Sequence, residues 1–74
     1  MSDPLSLIND YLHSVLGYSE NTMEKYILRI AQQKHMKSAT LIAEELVDKL
    51  NLPGDNPKTA EISEKLFKHF QYDL

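Results

Sequence analysis

The run Leu12-His13-Ser14-Val15-Leu16-Gly17-Tyr18-Ser19-Glu20 ends one helical pattern and starts another, with no room between them for a strand or a long loop. A stop and restart this tight makes two consecutive helices neighbours in space. Gly17 follows the last apolar residue of the first pattern, and glycine takes the left-handed conformation that ends a helix without steric cost. Ser19 is then placed as the cap that accepts hydrogen bonds from the free amides of the next turn. Tyr18 and Met23 stand at the two positions of a hydrophobic staple around that cap.

The rest of the chain repeats the same grammar. Ser2 or Asp3 as cap and Pro4 in the first turn open helix one, predicted over 4–16, with Leu5, Ile8, Leu12, Val15 and Leu16 on one stripe. Leu7 and Tyr11 widen that stripe, which places this helix between two neighbours at the centre of the bundle. Helix two, over 20–34, buries Met23, Tyr26, Ile27, Ile30 and Ala31, with Glu20 and Glu24 near its positive end and Lys34 near its negative end. A turn through His35, Met36 and Lys37 leads to Ser38, which caps helix three over 39–51, with Ala39, Ile42, Ala43, Leu46, Val47 and Leu50 inward. The breakers in Leu52-Pro53-Gly54-Asp55-Asn56-Pro57 mark a loop, and Asn56 with Pro57 reads as cap plus first helical residue. Helix four, over 57–70, turns Ala60, Ile62, Ser63, Leu66, Phe67 and Phe70 inward, and Glu61–Lys65 and Glu64–Lys68 form exposed pairs four apart. Gln71 to Leu74 fray, and Phe70, Tyr72 and Leu74 are either partner contacts or side chains that a longer protein buries by continuing the helix. No segment alternates with period two, so the predicted fold is all-α, one compact four-helix bundle over 1–74.

A chain of 74 residues forms one small core, and a domain of this size buries about 60% of the surface that its unfolded chain exposes. That leaves no space for the nucleotide pocket, substrate pocket and lid of a typical enzyme. The formal charge of −3, with 26% charged residues, lacks the global basic excess of a nucleic-acid binder. Absence of cysteine rules out disulfides and thiolate metal sites and fits a reducing compartment. No stretch approaches the roughly 20 apolar residues of a membrane span, and Asp3 and Pro4 stand where a secretory leader needs a basic flank.

Chemistry-bearing patterns are sparse. His13, His35 and His69 are scattered, and none lies four residues from another, so no zinc pair forms; Asp10 and His13 meet across one turn, but two ligands do not make a site. The loop from Asp55 has Pro57 and Thr59 where a calcium loop supplies oxygen ligands. With only Gly17 and Gly54 in the chain, no phosphate-cradling turn can be drawn, and no serine sits on a strained, glycine-framed turn. A carrier domain's Asp-Ser-Leu tripeptide is missing too. The sequence thus predicts no catalytic, cofactor-binding or metal-binding residue and no cofactor in this chain.

Local charge is more informative. Between Lys25 and Ala43 the chain carries Lys25, Arg29, Lys34 and Lys37, four of its eight basic residues, with His35 and no acid. Together these can touch a phosphate backbone or an acidic partner; the plainer reading is a solvated face balanced by Glu44, Glu45 and Asp48. Tyr26 sits among them, either as part of the core stripe or as a stacking platform for a base. Leu41 also reads two ways. Helical geometry puts it with Glu45 and Asp48, so it is a partner contact or packs under a loop.

Ile8 to Ile30, above all Leu12-His13-Ser14-Val15-Leu16-Gly17-Tyr18-Ser19 followed by Tyr26-Ile27 and Ala31-Gln32, resembles the amino terminus of DEAH-box pre-mRNA splicing RNA helicases. The branch it is most similar to remodels the activated spliceosome before the first step of splicing. That terminus looks like a PWI-type bundle, a four-helix module of splicing proteins. The resemblance covers most of the chain and is strong over its first half. It departs from the module's Pro-Trp-Ile signature: there is no tryptophan, and Leu7-Ile8 stands where an aromatic-aliphatic pair is usual. The helicase core motifs, including the Asp-Glu-Ala-His box, are absent. The resemblance therefore implies a nuclear, monomeric, non-catalytic interaction module of an ATP-dependent RNA helicase. Its implied partners are spliceosomal proteins or RNA and no membrane, and the local charge and helical geometry, rather than the resemblance, give Lys25, Arg29, Lys34, Lys37 and Leu41 as the candidate contact residues. The alternatives are a PWI-like nucleic-acid binder that uses the basic face, or a cap folded onto the helicase core.

Overall fold

Capping chemistry sets most of the helix boundaries. The computed structural model describes residues 3–33 and 38–71, which form α1 (Pro4–Leu16), α2 (Asn21–Gln32), α3 (Ala39–Leu50) and α4 (Pro57–Gln71), with no strand among them. Asp3 caps α1, its carboxylate accepting the Leu5 amide at 3.2 Å, and Pro4 takes the first turn. Gly17 closes α1 at φ 82°, its amide donating to the His13 carbonyl at 3.0 Å. Ser38 caps α3 by accepting the Leu41 amide at 3.3 Å. Asn51 ends α3 in the left-handed region at φ 57°, and asparagine is among the few residues with a side chain that tolerate this. Asn56 accepts the Lys58 amide at 2.9 Å and opens α4 at Pro57.

The start of α2 differs from the sequence expectation. Its N-cap is Glu20, with no side-chain cap, rather than Ser19. The Ser19 hydroxyl donates instead to the Glu24 carboxylate, which also accepts the Asn9 side-chain amide at 2.8 Å across the elbow from α1. These two donors, Ser19 before Asn9, hold the Glu24 carboxyl below its usual range. With the cap one residue later, the staple positions pass from Tyr18 and Met23 to Ser19 and Glu24, so a polar bridge does the stapling. Tyr18 is left 53% exposed, while Met23 still packs on the core.

The fully buried centre consists of Ile8 and Leu12 of α1, Ile27 of α2, Ile42 and Leu46 of α3 and Leu66 of α4, joined by Tyr11, Ile30, Ala31, Leu52 and Ile62. Every helix contributes, so no element is peripheral to the core. α1 has the two neighbours that its wide stripe predicts, α2 and α4. It is not the central helix, however: α2 and α4 each pack against all three others, and α1 and α3 do not pack together among the described residues. The Cα radius of gyration is 11.0 Å, and about 11 Å is expected for a folded domain of this length.

Several edge positions depart from the predicted stripes. Tyr26 and Val47 lie exposed, Ala60 faces solvent, and Leu16 is half-buried at the rim of the core. Phe67 and Phe70 are also half-buried, and the Phe70 ring meets His69 edge-on at 4.8 Å. Lys65 pairs with Glu61 at 3.1 Å, whereas Glu64 and Lys68 do not close the second expected pair. Gln71 is still helical; Tyr72 and Leu74 lie outside the described residues.

One polar chain crosses this apolar interior. Thr59, 1% exposed, donates its hydroxyl proton to the Pro53 carbonyl at 2.7 Å. Because that carbonyl only accepts and a hydroxyl has one proton, the Tyr11 hydroxyl, 2.7 Å from Thr59 Oγ1, is the donor in the other contact. Ser63 donates back to the Thr59 carbonyl at 2.8 Å, and no buried side-chain polar atom among the described residues lacks a partner. Burial raises the Tyr11 phenol above its ordinary value, partly offset by the Thr59 contact.

Two outcomes follow from this core. Leu12→Ala removes a fully buried side chain and should cost about 2 to 5 kcal/mol, a large share of the roughly 4 to 11 kcal/mol available to a domain of this length; a urea midpoint equal to wild type would show that the helix-one stripe is misassigned. A phenol whose folded pKa lies above its unfolded value adds stability below pH ~10 that is lost as pH rises through the folded pKa. Thermal melts between neutral and alkaline pH should therefore fall more steeply for wild type than for Tyr11→Phe, and parallel curves would remove Tyr11 from the balance.

Candidate interaction surfaces

The core side chains of all four helices pack together, and the depressions able to meet another molecule lie on the surface of the described residues. On α2, the three-and-four spacing of Thr22, Lys25, Tyr26 and Arg29 brings all four to one shallow depression of about 270 Å³. Tyr26 is 40% exposed there, which corrects its assignment to the core. The inward arc of α2 is filled by Ile27, Ile30 and Ala31, and Tyr26 falls at its open edge. An exposed phenol between two cations presents an aromatic face beside positive charge, the pairing that single-stranded nucleic acids and other anionic planar groups favour. Of the four basic residues singled out in the sequence, Lys25 and Arg29 are brought together. Lys34 and Lys37, with His35 between them, lie outside the described residues.

On α3, Leu41 is 39% exposed and Val47 37%. Both line an open groove of about 800 Å³ with Glu44, Glu45 and Asp48 of α3 and Gly54 of the α3–α4 loop. Leu41 thus does not pack under a loop. Gly54 fits because a Cβ there would stand 3.0 Å from Val47 Cγ2, so a larger residue pushes on the groove wall. Val47 and Gly54 belong to this surface although the sequence pattern did not mark them. Val47 satisfied the inward stripe, and the loop's path over α3 has no local signal. Asp48 makes a long 3.7 Å contact with Lys49, leaving Glu44 and Glu45 without a cation among the described residues.

A third, smaller cleft between α1 and α4 carries charges of both signs, Asp10 and Glu61 against Lys58 and Lys65. It selects for neither sign of ligand. His13 is exposed on α1, and no three histidine, aspartate or glutamate side chains among the described residues converge on a point where a metal ion would sit. No helix among those residues is long and apolar enough to cross a membrane. Comparison of the chain with known protein families, with curated proteins and with solved structures finds no match.

Proposed function

We propose that this bundle is a non-catalytic docking module at the amino terminus of a nuclear DEAH-box pre-mRNA splicing RNA helicase. It engages spliceosomal protein or RNA, while a helicase core outside this chain hydrolyses ATP. The observation that carries this reading is the resemblance of Ile8 to Ile30 to that terminus, centred on the Leu12–Ser19 elbow. The PWI-like character of the bundle is part of the same proposal, and so are its nuclear location and monomeric state. Two exposed, chemically distinct surfaces on a domain with a filled core are what a docking module needs.

The proposal has a direct test. Added in trans to a splicing-competent nuclear extract, the folded chain should compete with the parent helicase and cause unreacted pre-mRNA to accumulate in assembled complexes. Unchanged first-step kinetics at saturating chain would sink the splicing assignment.

Exposure of Tyr26 between Lys25 and Arg29 favours a second reading, direct RNA binding through α2. In that case single-stranded RNA shifts the resonances of these residues, and the affinity falls steeply with salt. Lys25→Glu with Arg29→Glu should abolish the response, and a flat titration at low salt returns the function to protein docking.

A further inference from the structure

The groove on α3 is not explained by the basic face or by the helical elbow. At about 100° per residue, Leu41 and Val47 lie roughly 120° apart on the outer arc of α3, and Glu44 and Asp48 project between them. Glu45 flanks Leu41 on the other side. The arc therefore alternates aliphatic and acidic side chains, opposite the Ile42 and Leu46 face that enters the core. Exposed single aliphatics are ordinary on small proteins. Two of them in one groove, interleaved with three carboxylates, set a more specific requirement on whatever covers them.

We propose that this groove docks a helical segment of a partner whose contacting face alternates aliphatic and basic residues. The inference rests on the reading of the domain as a docking module and names the chemistry of the partner. Charge selects the occupant: Glu44, Glu45 and Asp48 repel an acidic segment and exclude a nucleic-acid backbone, whereas lysine or arginine on a partner helix reaches them while its leucines sit on Leu41 and Val47. Length selects it as well. From Leu41 to Asp48 is two turns of α3, about 10.5 Å at 1.5 Å per residue, which a three-turn helix covers. Gly54, by lacking a side chain, leaves Val47 in place as a wall of the groove.

The probe is a synthetic peptide of leucine and lysine, with leucines at i, i+3, i+4 and i+7 along one helical face and lysines interleaved at the edges of that same face. Titrated into the isotopically labelled chain, it should produce saturable amide shifts at Leu41, Glu44, Glu45, Val47, Asp48 and Gly54, weakening as salt is raised. Glu44→Lys combined with Glu45→Lys, and separately Leu41→Ser, should each weaken binding about tenfold or more. All three positions are solvent-accessible, and an unchanged thermal midpoint shows that the bundle is intact.

Equal binding of a peptide with the same composition in scrambled order would overturn the proposal, because charge alone would then suffice. Shifts confined to the Lys25–Arg29 face would overturn it too. So would concentration-dependent self-association that saturates α3 without peptide, which would make a second copy of the chain the occupant. Splicing interference that persists while α3 stays silent removes the groove and leaves the docking reading standing; loss of both removes that reading.

Discussion

The Tyr11–Thr59–Pro53 chain of hydrogen bonds is the contact on which the arrangement of this bundle depends. Apolar packing alone is permissive, since aliphatic ridges can slide past one another with small changes in buried area. A hydroxyl pair sealed from water is not. If α4 turned or slipped by one residue, Tyr11, Thr59 and the Pro53 carbonyl would lose their partners inside the core. The chain therefore sets the register of α4 against α1 and holds the α3–α4 loop down at the same point. Ser63, bonded to the Thr59 carbonyl one turn on, keeps the polar character of this region within α4.

Local chemistry made most of the fold legible. Asp3 with Pro4, Gly17, Ser38, and Asn56 with Pro57 each act through contacts within a few residues, and all four sit where the sequence places them. Ser19 failed for the opposite reason. Its hydroxyl donates to Glu24, a carboxylate that it shares with Asn9 on another helix. Tyr11 and Thr59 meet across 48 positions, a separation at which periodicity has nothing to say.

The candidate surfaces were legible only in part, for a geometric reason. A helical stripe identifies the middle of a buried arc, and its edges are decided by which neighbours happen to cover them. Tyr26 and Val47 both satisfy the inward spacing, yet both lie at edges left open, and each belongs to an exposed surface instead. Leu41, off the stripe by the same geometry, stands out in the sequence itself. The outcome is a domain with opposite charge on the outer faces of two of its helices, Lys25 and Arg29 on α2 and Glu44, Glu45 and Asp48 on α3.

The long reach of the Tyr11 contact also has a temporal side. Synthesis proceeds from the amino terminus, so α1, α2 and α3 all leave the ribosome before the partner of the Tyr11 hydroxyl exists. Until Thr59 and the rest of α4 emerge, water satisfies the Tyr11 hydroxyl, so the contact that joins α1 to α4 is among the last of the domain to form.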